Sequence, residues 1–175
     1  MTLRPKVIVE ELTKEFTKNP SVVAFTLVGS QARDSVYTAT AQSDMEAFVI
    51  TEDDKSDEVE KSLPEVVSRF GKVLFHFKHE IGFVGVYDDL FQLELPVKKR
   101  SEMKELFSRP KAQVVKVLLD RTNGELEQIL EARPETVDFA KAFDNRMTNF
   151  WYWQVLGTRY FTKGEIYDLY SWRVR

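Results

Sequence analysis

The sequence contains no cysteine, and this excludes two kinds of protein at once. Without cysteine the chain can form neither a disulfide framework nor a thiolate metal site. It also lacks any apolar run near the ~20 residues that a membrane-spanning helix needs, and residues 1–6 lack the apolar stretch of a signal peptide. These absences predict a cytoplasmic protein that does not enter a membrane.

An excess of positive charge is missing as well, because the 175 residues carry a net charge of −3. Proteins that bind the backbone of nucleic acids need clustered positive charge. Nucleic acid is therefore not the expected partner, and an acidic protein suits a small and preferably cationic substrate better. With 43% hydrophobic residues, the chain has enough apolar material for one domain and at most part of a second.

A glycine-serine pair follows the first predicted strand. The apolar run 21–28 is typical of a strand that stops at Gly29, and residues 31–33 favour a helix, so the pair lies where a strand passes into a helix. Backbone N–H groups collect at such a junction and favour a phosphate. Glycine lets the phosphate approach closely, and the Ser30 hydroxyl offers one more donor. The pair therefore predicts a phosphate-binding turn.

Two acids, Asp44 and Glu46, open the next predicted strand, residues 44–50. Because side chains alternate along a strand, these two point the same way and lie roughly 7 Å apart. At that spacing both can reach one Mg²⁺, or two ions about 3.5–4 Å apart. Each feature alone has an ordinary explanation: the glycine-serine pair can be a common turn, and the acid pair can be the solvated face of a strand. Together and in this order they favour a site for phosphoryl or nucleotidyl transfer.

The order of these features resembles the signature of the DNA polymerase beta-like nucleotidyltransferase superfamily. Val28-Gly29-Ser30 and Asp44-Met45-Glu46-Ala47 match its two motifs, and Gln31-Ala32-Arg33 matches a common extension of the first. The resemblance implies that the turn holds nucleotide phosphates with Arg33 as a further contact, and that the acid pair binds Mg²⁺ with ATP as co-substrate. It also implies a third acid on a later strand, for which Glu94 is the candidate.

Glu94 lies in a predicted hairpin formed by residues 81–87 and 90–97, with Asp88-Asp89 as the turn. In its strand the apolar residues make one face, while Gln92 and Glu94 make the other. By resemblance to the antibiotic-modifying branch, Glu94 is a metal ligand or a general base for the acceptor hydroxyl. Alternatively, Gln92 and Glu94 are simply the solvated side of the hairpin. Most relatives have aspartate where this chain has Glu46 and Glu94. Glutamate has one more methylene group, but it still offers a carboxylate that can bind the metal.

The remaining pattern predicts an α+β domain over residues 1–132, with the nucleotidyltransferase fold of a small mixed sheet flanked by helices. The helix before the first strand has Val9, Leu12 and Phe16 on one face. A later helix starts with Ser56 as its N-cap and is kinked or divided by Pro64.

A strand over residues 114–119 and a helix over 125–131 complete the predicted domain and resemble the aminoglycoside adenylyltransferase branch. Residues 133–175 are predicted to be helical and rich in aromatics. They resemble the start of a larger helical domain, and their aromatic surface favours a homodimer.

The resemblance implies a Mg²⁺-dependent adenylyltransferase that moves AMP from ATP to a hydroxyl of a small molecule such as an aminoglycoside, with a role in antibiotic resistance. Two alternatives stay open. One is a protein- or RNA-modifying nucleotidyltransferase of the toxin–antitoxin type, although such enzymes tend to lack an aromatic helical tail. The other is a degenerate module that binds a nucleotide or a partner without catalysis. The basic residues 98–100 either neutralise phosphate charge or are solvated.

Overall fold

A computed structural model describes residues 3–32, 44–79, 82–111 and 113–135, together with 147–148, 150–152 and 155. The chain forms two compact units, Met1–Glu135 and Thr136–Arg175. The first unit is mixed α+β, as predicted, and the described residues of the second are helical. Among the described residues, no helix is both long and apolar enough to cross a membrane.

The first unit contains four described α-helices and seven described strands. The helices are α1 (Leu3–Lys18), α2 (Ser56–Ser68), α3 (Met103–Leu106) and α4 (Glu125–Glu131). The strands are β1 (Val22–Val28), β2 (Met45–Thr51), β3 (Val73–His79), β4 (Gly82–Tyr87), β5 (Gln92–Leu95), β6 (Val97–Lys99) and β7 (Val115–Asp120). The 3₁₀ turn Gly29–Ala32 follows β1, and a second 3₁₀ turn, Arg100–Glu102, follows β6.

The seven strands form one mixed sheet in the order β3-β4-β5-β2-β1-β7, with β6 also paired to β2. Strand β2 runs antiparallel to β1 but parallel to β5 and β6. Pro96 separates β5 from β6 because proline has no N–H to donate to a neighbouring strand. Its carbonyl still accepts a hydrogen bond from the Val49 amide at 3.0 Å, so β2 continues straight past the break.

Alternate residues of β2 enter two different cores, which shows that helices cover both faces of the sheet. Met45, Ala47 and Val49 pack in the larger core with α1 and α2. Ile50, and the partly buried Phe48, pack in the smaller core with α3 and α4. By the same alternation, Glu46 belongs to the face that carries α3 and α4.

Most predicted elements are confirmed, including the first strand, the hairpin of β4 and β5, and the helix over residues 125–131. The structure corrects two local predictions, the division of a helix at Pro64 and the assignment of Ser56 as its N-cap. Pro64 does not divide its helix, because α2 continues through it with Leu63, Val66 and Val67 buried, and this packing outweighs the lost backbone hydrogen bond. Ser56 is the first helical residue, and the N-cap is Lys55, which makes no side-chain capping bond.

Candidate functional site

The turn after β1 requires glycine for two reasons. Gly29 has φ +72°, a conformation that residues with a Cβ rarely adopt. A Cβ built on it would also lie only 2.9 Å from Oε2 of Glu46. The predicted phosphate turn and the second acid of the predicted pair are therefore in direct contact. Their proximity follows from the antiparallel register, in which Val28 lies opposite Glu46.

The structure places Glu94 beside Glu46. Strands β2 and β5 pair in parallel with Glu46 opposite Glu94, so the two carboxylates are on the same face of the sheet and on strands about 4.8 Å apart. Like charges directly opposite one another destabilise a sheet. A pair of this kind therefore has a cost in stability unless a proton, a cation or another positive group offsets it.

Glu94 is held by its neighbour on the same strand. The Gln92 amide donates a hydrogen bond from Nε2 to Oε1 of Glu94 at 2.5 Å. Only 9% of Glu94 is exposed, so its interpretation as the solvated side of a hairpin is wrong. A buried carboxylate that is held at one oxygen keeps the other oxygen for a second partner.

The carboxyl of Glu46 is disfavoured in its charged form. Its pKa is raised above the ordinary value, first by burial and then by the negative charges of Glu94 and Asp44. The positive charge of Arg109 opposes this shift. The site therefore concentrates more negative charge around Glu46 than the surrounding positive charge offsets, and that condition favours binding of a cation.

The other predicted site residues differ in how far the structure describes them. Asp44 directly precedes β2 and its side chain is exposed, yet it is close enough for its charge to act on Glu46. The backbone of Ser30 belongs to the 3₁₀ turn, whereas its side chain and the whole of Arg33 lie outside the described residues. Within the described ranges, no three histidine or acidic side chains are gathered as a metal site.

Sequence reasoning missed Arg109. It lines a cleft of about 320 Å³, including its open mouth, on the side of the sheet that carries α3 and α4. The cleft is lined by Val28, Phe48, Leu106, Phe107, Arg109, Gln113, Val115 and Arg133. Arg109 belongs to a polar loop segment, Ser108-Arg109-Pro110, which carries no periodic pattern. Only the three-dimensional structure reveals that its charge acts on Glu46.

The basic residues after β5 lie elsewhere. Lys98 and Lys99 pair with Ile50 and Thr51, at the opposite end of β2 from Glu46. Arg100 pairs with the carboxylates of Glu125 at 2.8 Å and Glu52 at 3.3 Å. Lys98 and Lys99 thus belong to strand β6 and do not follow a strand, and of the three basic residues only Lys99 is exposed, so the prediction of a solvated group after a strand is wrong in its placement.

Replacing Gly29 with alanine should disturb the site more than the fold. The left-handed conformation should cost about 1–2 kcal/mol of stability in a residue with a Cβ. The new methyl group would displace the Glu46 carboxylate, which is the end of a flexible side chain and can move. Gly124→Ala is the matched control, because Gly124 also has positive φ (+85°) but open space around the Cβ position. Thermal melts of both variants should show similar losses, whereas only Gly29→Ala should lower Mg²⁺ affinity in titration calorimetry. Unchanged Mg²⁺ affinity in Gly29→Ala would show that the contact between Gly29 and the Glu46 carboxylate does not matter for Mg²⁺ binding.

No protein-family model and no curated protein matches this chain. A turn suited to phosphate, two neighbouring acids on adjacent strands and a cationic cleft occupy one region of the sheet. Such a combination can bind a polyphosphate with a divalent cation and receive a proton from a hydroxyl.

Proposed function

We propose that the protein is a nucleotidyltransferase with the fold of the DNA polymerase beta-like superfamily, and that it moves AMP from ATP to a hydroxyl of a small molecule. One observation carries this proposal: the Glu46 carboxylate rests against the Gly29 turn and has Glu94 as its neighbour across the parallel strands. The turn, the second acid of the pair and the third acid follow one another in the sequence, and these contacts show that they are also neighbours in space. An ordinary solvated carboxylate would not need to be half-buried beside a second carboxylate, as Glu46 is beside Glu94.

The donor chemistry of the site fits Mg²⁺. Asp44 and Glu46 offer carboxylate oxygens, which this ion prefers. The pKa of Glu46 is raised first by burial and then by the negative charges of Glu94 and Asp44, and a cation would offset those charges. Mg²⁺ commonly takes only one or two carboxylates and completes its shell with water and substrate phosphates. A third protein ligand is therefore not required. When bound, the ion supplies charge neutralisation on the phosphates and orients them.

The chain's own residues then divide the work. The Gly29 turn, free of a Cβ, would let the phosphates approach the backbone, with Ser30 as a further donor. The acceptor oxygen would form a bond to the α-phosphorus while the bond from that phosphorus to the bridging oxygen breaks and pyrophosphate leaves. Glu94 would take the proton of the acceptor hydroxyl through the oxygen that Gln92 does not hold. Fixing Glu94 by burial and by this hydrogen bond would keep it aimed at the acceptor.

Replacing Asp44 with asparagine tests the role of the exposed acid. The variant should stay folded, since Asp44 is exposed, and should lose about a hundredfold in Mg²⁺-dependent transfer of labelled AMP, a loss of the size that follows removal of one electrostatic group from an active site. Asp54→Asn removes the same charge from an exposed turn at the other end of β2 and should behave as the unmodified protein. Near-normal transfer by Asp44→Asn would refute the assignment of this residue.

The acceptor class can be identified directly. The unmodified protein would be incubated with labelled ATP and Mg²⁺ in the presence of aminoglycosides, lincosamides, tRNA or a protein extract, and the product mass would name both partners. A labelled small molecule supports the proposed function, whereas labelled tRNA or protein supports the toxin–antitoxin alternative. Calorimetry with a non-hydrolysable ATP analogue separates both from a non-nucleotide binding module, which would show no Mg²⁺-dependent affinity.

A further inference from the structure

Arg109 is an exposed cation at the edge of the cleft. Its side chain is exposed and lines the cleft next to Val28, the residue that immediately precedes the Gly29 turn. Its charge acts on Glu46, yet among the described residues it makes no ion pair within 4.0 Å. Val28 also lies opposite Glu46 in the β1–β2 pairing, so the cleft that Arg109 lines borders the strand position of Glu46.

The loop that carries Arg109 is anchored by a second arginine. Arg133 donates hydrogen bonds to the main-chain carbonyls of Arg109 at 2.7 Å, Gln113 at 2.5 Å, and Pro110. Only 8% of Arg133 is exposed, and burial lowers its pKa. Burying a cation without a carboxylate partner is costly unless its donors are satisfied, and here three carbonyls of one loop satisfy them. The backbone beneath Arg109 is thereby fixed, while its exposed side chain makes no ion pair with the residues that the structure describes.

Two further contacts tie the same loop to the segment after α4. The Lys111 amide donates to the Pro134 carbonyl at 2.9 Å, and the Lys111 ammonium pairs with Glu135 at 2.6 Å. A surface arginine with no ligand would gain nothing from such support. For an arginine that binds a ligand, a fixed backbone strengthens binding, because less conformational entropy is then lost when the ligand binds.

We propose that Arg109 and its cleft form a phosphate subsite, contiguous with the Gly29 turn, that holds the phosphates of the nucleotide that leave as pyrophosphate. This inference rests on the proposed function for the identity of the nucleotide. The cleft is small for a nucleoside, because its 320 Å³ includes solvent at the open mouth and the enclosed part is well below the about 300 Å³ at which pockets for drug-sized ligands begin. A phosphate needs less space, and the planar guanidinium matches its oxygens with two parallel hydrogen bonds. A polyphosphate at the Gly29 turn would meet the Glu46 carboxyl, which lies against that turn, and Arg109, which lines the adjoining cleft beside Val28.

The test is titration calorimetry with inorganic tripolyphosphate, ATP and adenosine, each with Mg²⁺, on the unmodified protein and three variants. Arg109→Ala should weaken binding of both tripolyphosphate and ATP by about tenfold to a hundredfold, the worth of a hydrogen bond to a charged group. Arg109→Lys should recover part of that loss, because it keeps the charge but not the bidentate geometry. Lys104→Ala is the matched control: it removes an exposed positive charge from α3, outside the cleft lining. Its affinities should stay within about twofold, since an exposed charge without a direct ligand contact contributes little.

Each pattern of results has a distinct meaning. Tripolyphosphate and ATP affinities that fall together in Arg109→Ala alone support the subsite. Equal affinities in Arg109→Ala and the unmodified protein overturn the subsite and leave the proposed function intact. Adenosine affinity that falls as much as ATP affinity also overturns it, because the cleft would then bind the nucleoside. If the unmodified protein binds neither ATP nor tripolyphosphate, the proposed function and the subsite both fail.

Discussion

Replacing Glu46 with glutamine should abolish AMP transfer and, at neutral pH, should raise the melting temperature. The variant keeps the shape of the side chain but removes the negative charge that lies between Gly29 and Glu94. A loss of about 4 kcal/mol of transition-state stabilisation, within the several kcal/mol that a bound metal supplies, lowers the rate about a thousandfold. The gain in stability has a separate cause, which is relief of the repulsion and burial that disfavour the charged carboxylate.

The sign of this stability change depends on pH. The folded-state pKa of Glu46 is raised, so the folded protein binds the proton more tightly than the unfolded chain does. The carboxyl is therefore harmless below its unfolded-state pKa and destabilises increasingly as pH rises through its folded-state pKa. The glutamine variant should melt higher than the unmodified protein at pH 7.5, and this difference should shrink as pH falls toward 4. Melts would be run without divalent cations.

Mg²⁺ should reverse the order of stability. A ligand that binds only the folded state raises the melting temperature, so the unmodified protein should gain from added Mg²⁺ while Glu46→Gln should not. Glu10→Gln is the control, since Glu10 is exposed on α1 and away from the site, and its effects should stay within about 0.5 kcal/mol. Active Glu46→Gln protein, or a variant that melts lower than the unmodified protein at pH 7.5, would contradict this account of the site.

Local sequence patterns predict many of the helices and strands. The apolar runs of β1 and β2, the Asp88-Asp89 turn and helix α4 could be predicted because each depends on residues that are near one another in sequence. The parallel pairing of β5 with β2 could not be predicted this way, since strand order is set by packing across the whole domain. Family resemblance predicts Glu94 as a site residue, but only the register shows that it lies beside Glu46.

The missed features have a common physical origin. Arg109 lies in an irregular loop, where charge alone does not distinguish a ligand contact from a solvated residue. The continuity of α2 through Pro64 depends on burial of the apolar residues around it, which local propensity does not weigh. Likewise, alternation identified Glu94 as polar but could not report that it is buried. The alternation of polar and apolar residues predicts on which face of a strand a residue lies, whereas tertiary packing determines whether that face is buried.

Replacing Gly82 with alanine should have the largest effect on stability. Gly82 begins β4 at φ +141°, and a Cβ there would clash with the Pro96 Cα and lie 2.8 Å from the Pro96 Cβ. Backbone cannot rotate away as a side-chain end can, so either β4 or the junction of β5 and β6 must shift. Overpacking costs about 1–3 kcal/mol and the strained backbone about 1–3 kcal/mol more. Their sum is a large fraction of the 5–15 kcal/mol typical of a whole domain, about enough to unfold it at 37 °C.

Two other glycines separate these causes in denaturant melts. Gly85→Ala, also in β4, meets Phe83 at an ordinary 3.5 Å and should change stability by less than about 1 kcal/mol, because it adds neither a clash nor an unusual φ. Gly124→Ala has positive φ without neighbours and should report the backbone strain alone, about 1–2 kcal/mol. The excess loss in Gly82→Ala then measures the contact with Pro96. Since Pro96 follows β5 directly, a shift there would also move Glu94, and any Gly82→Ala protein that remains folded should transfer AMP more slowly than its folded fraction explains. Equal stability of the Gly82 and Gly85 variants would show that the junction of β5 and β6 at Pro96 can shift without cost. That junction would then not hold Glu94 in place.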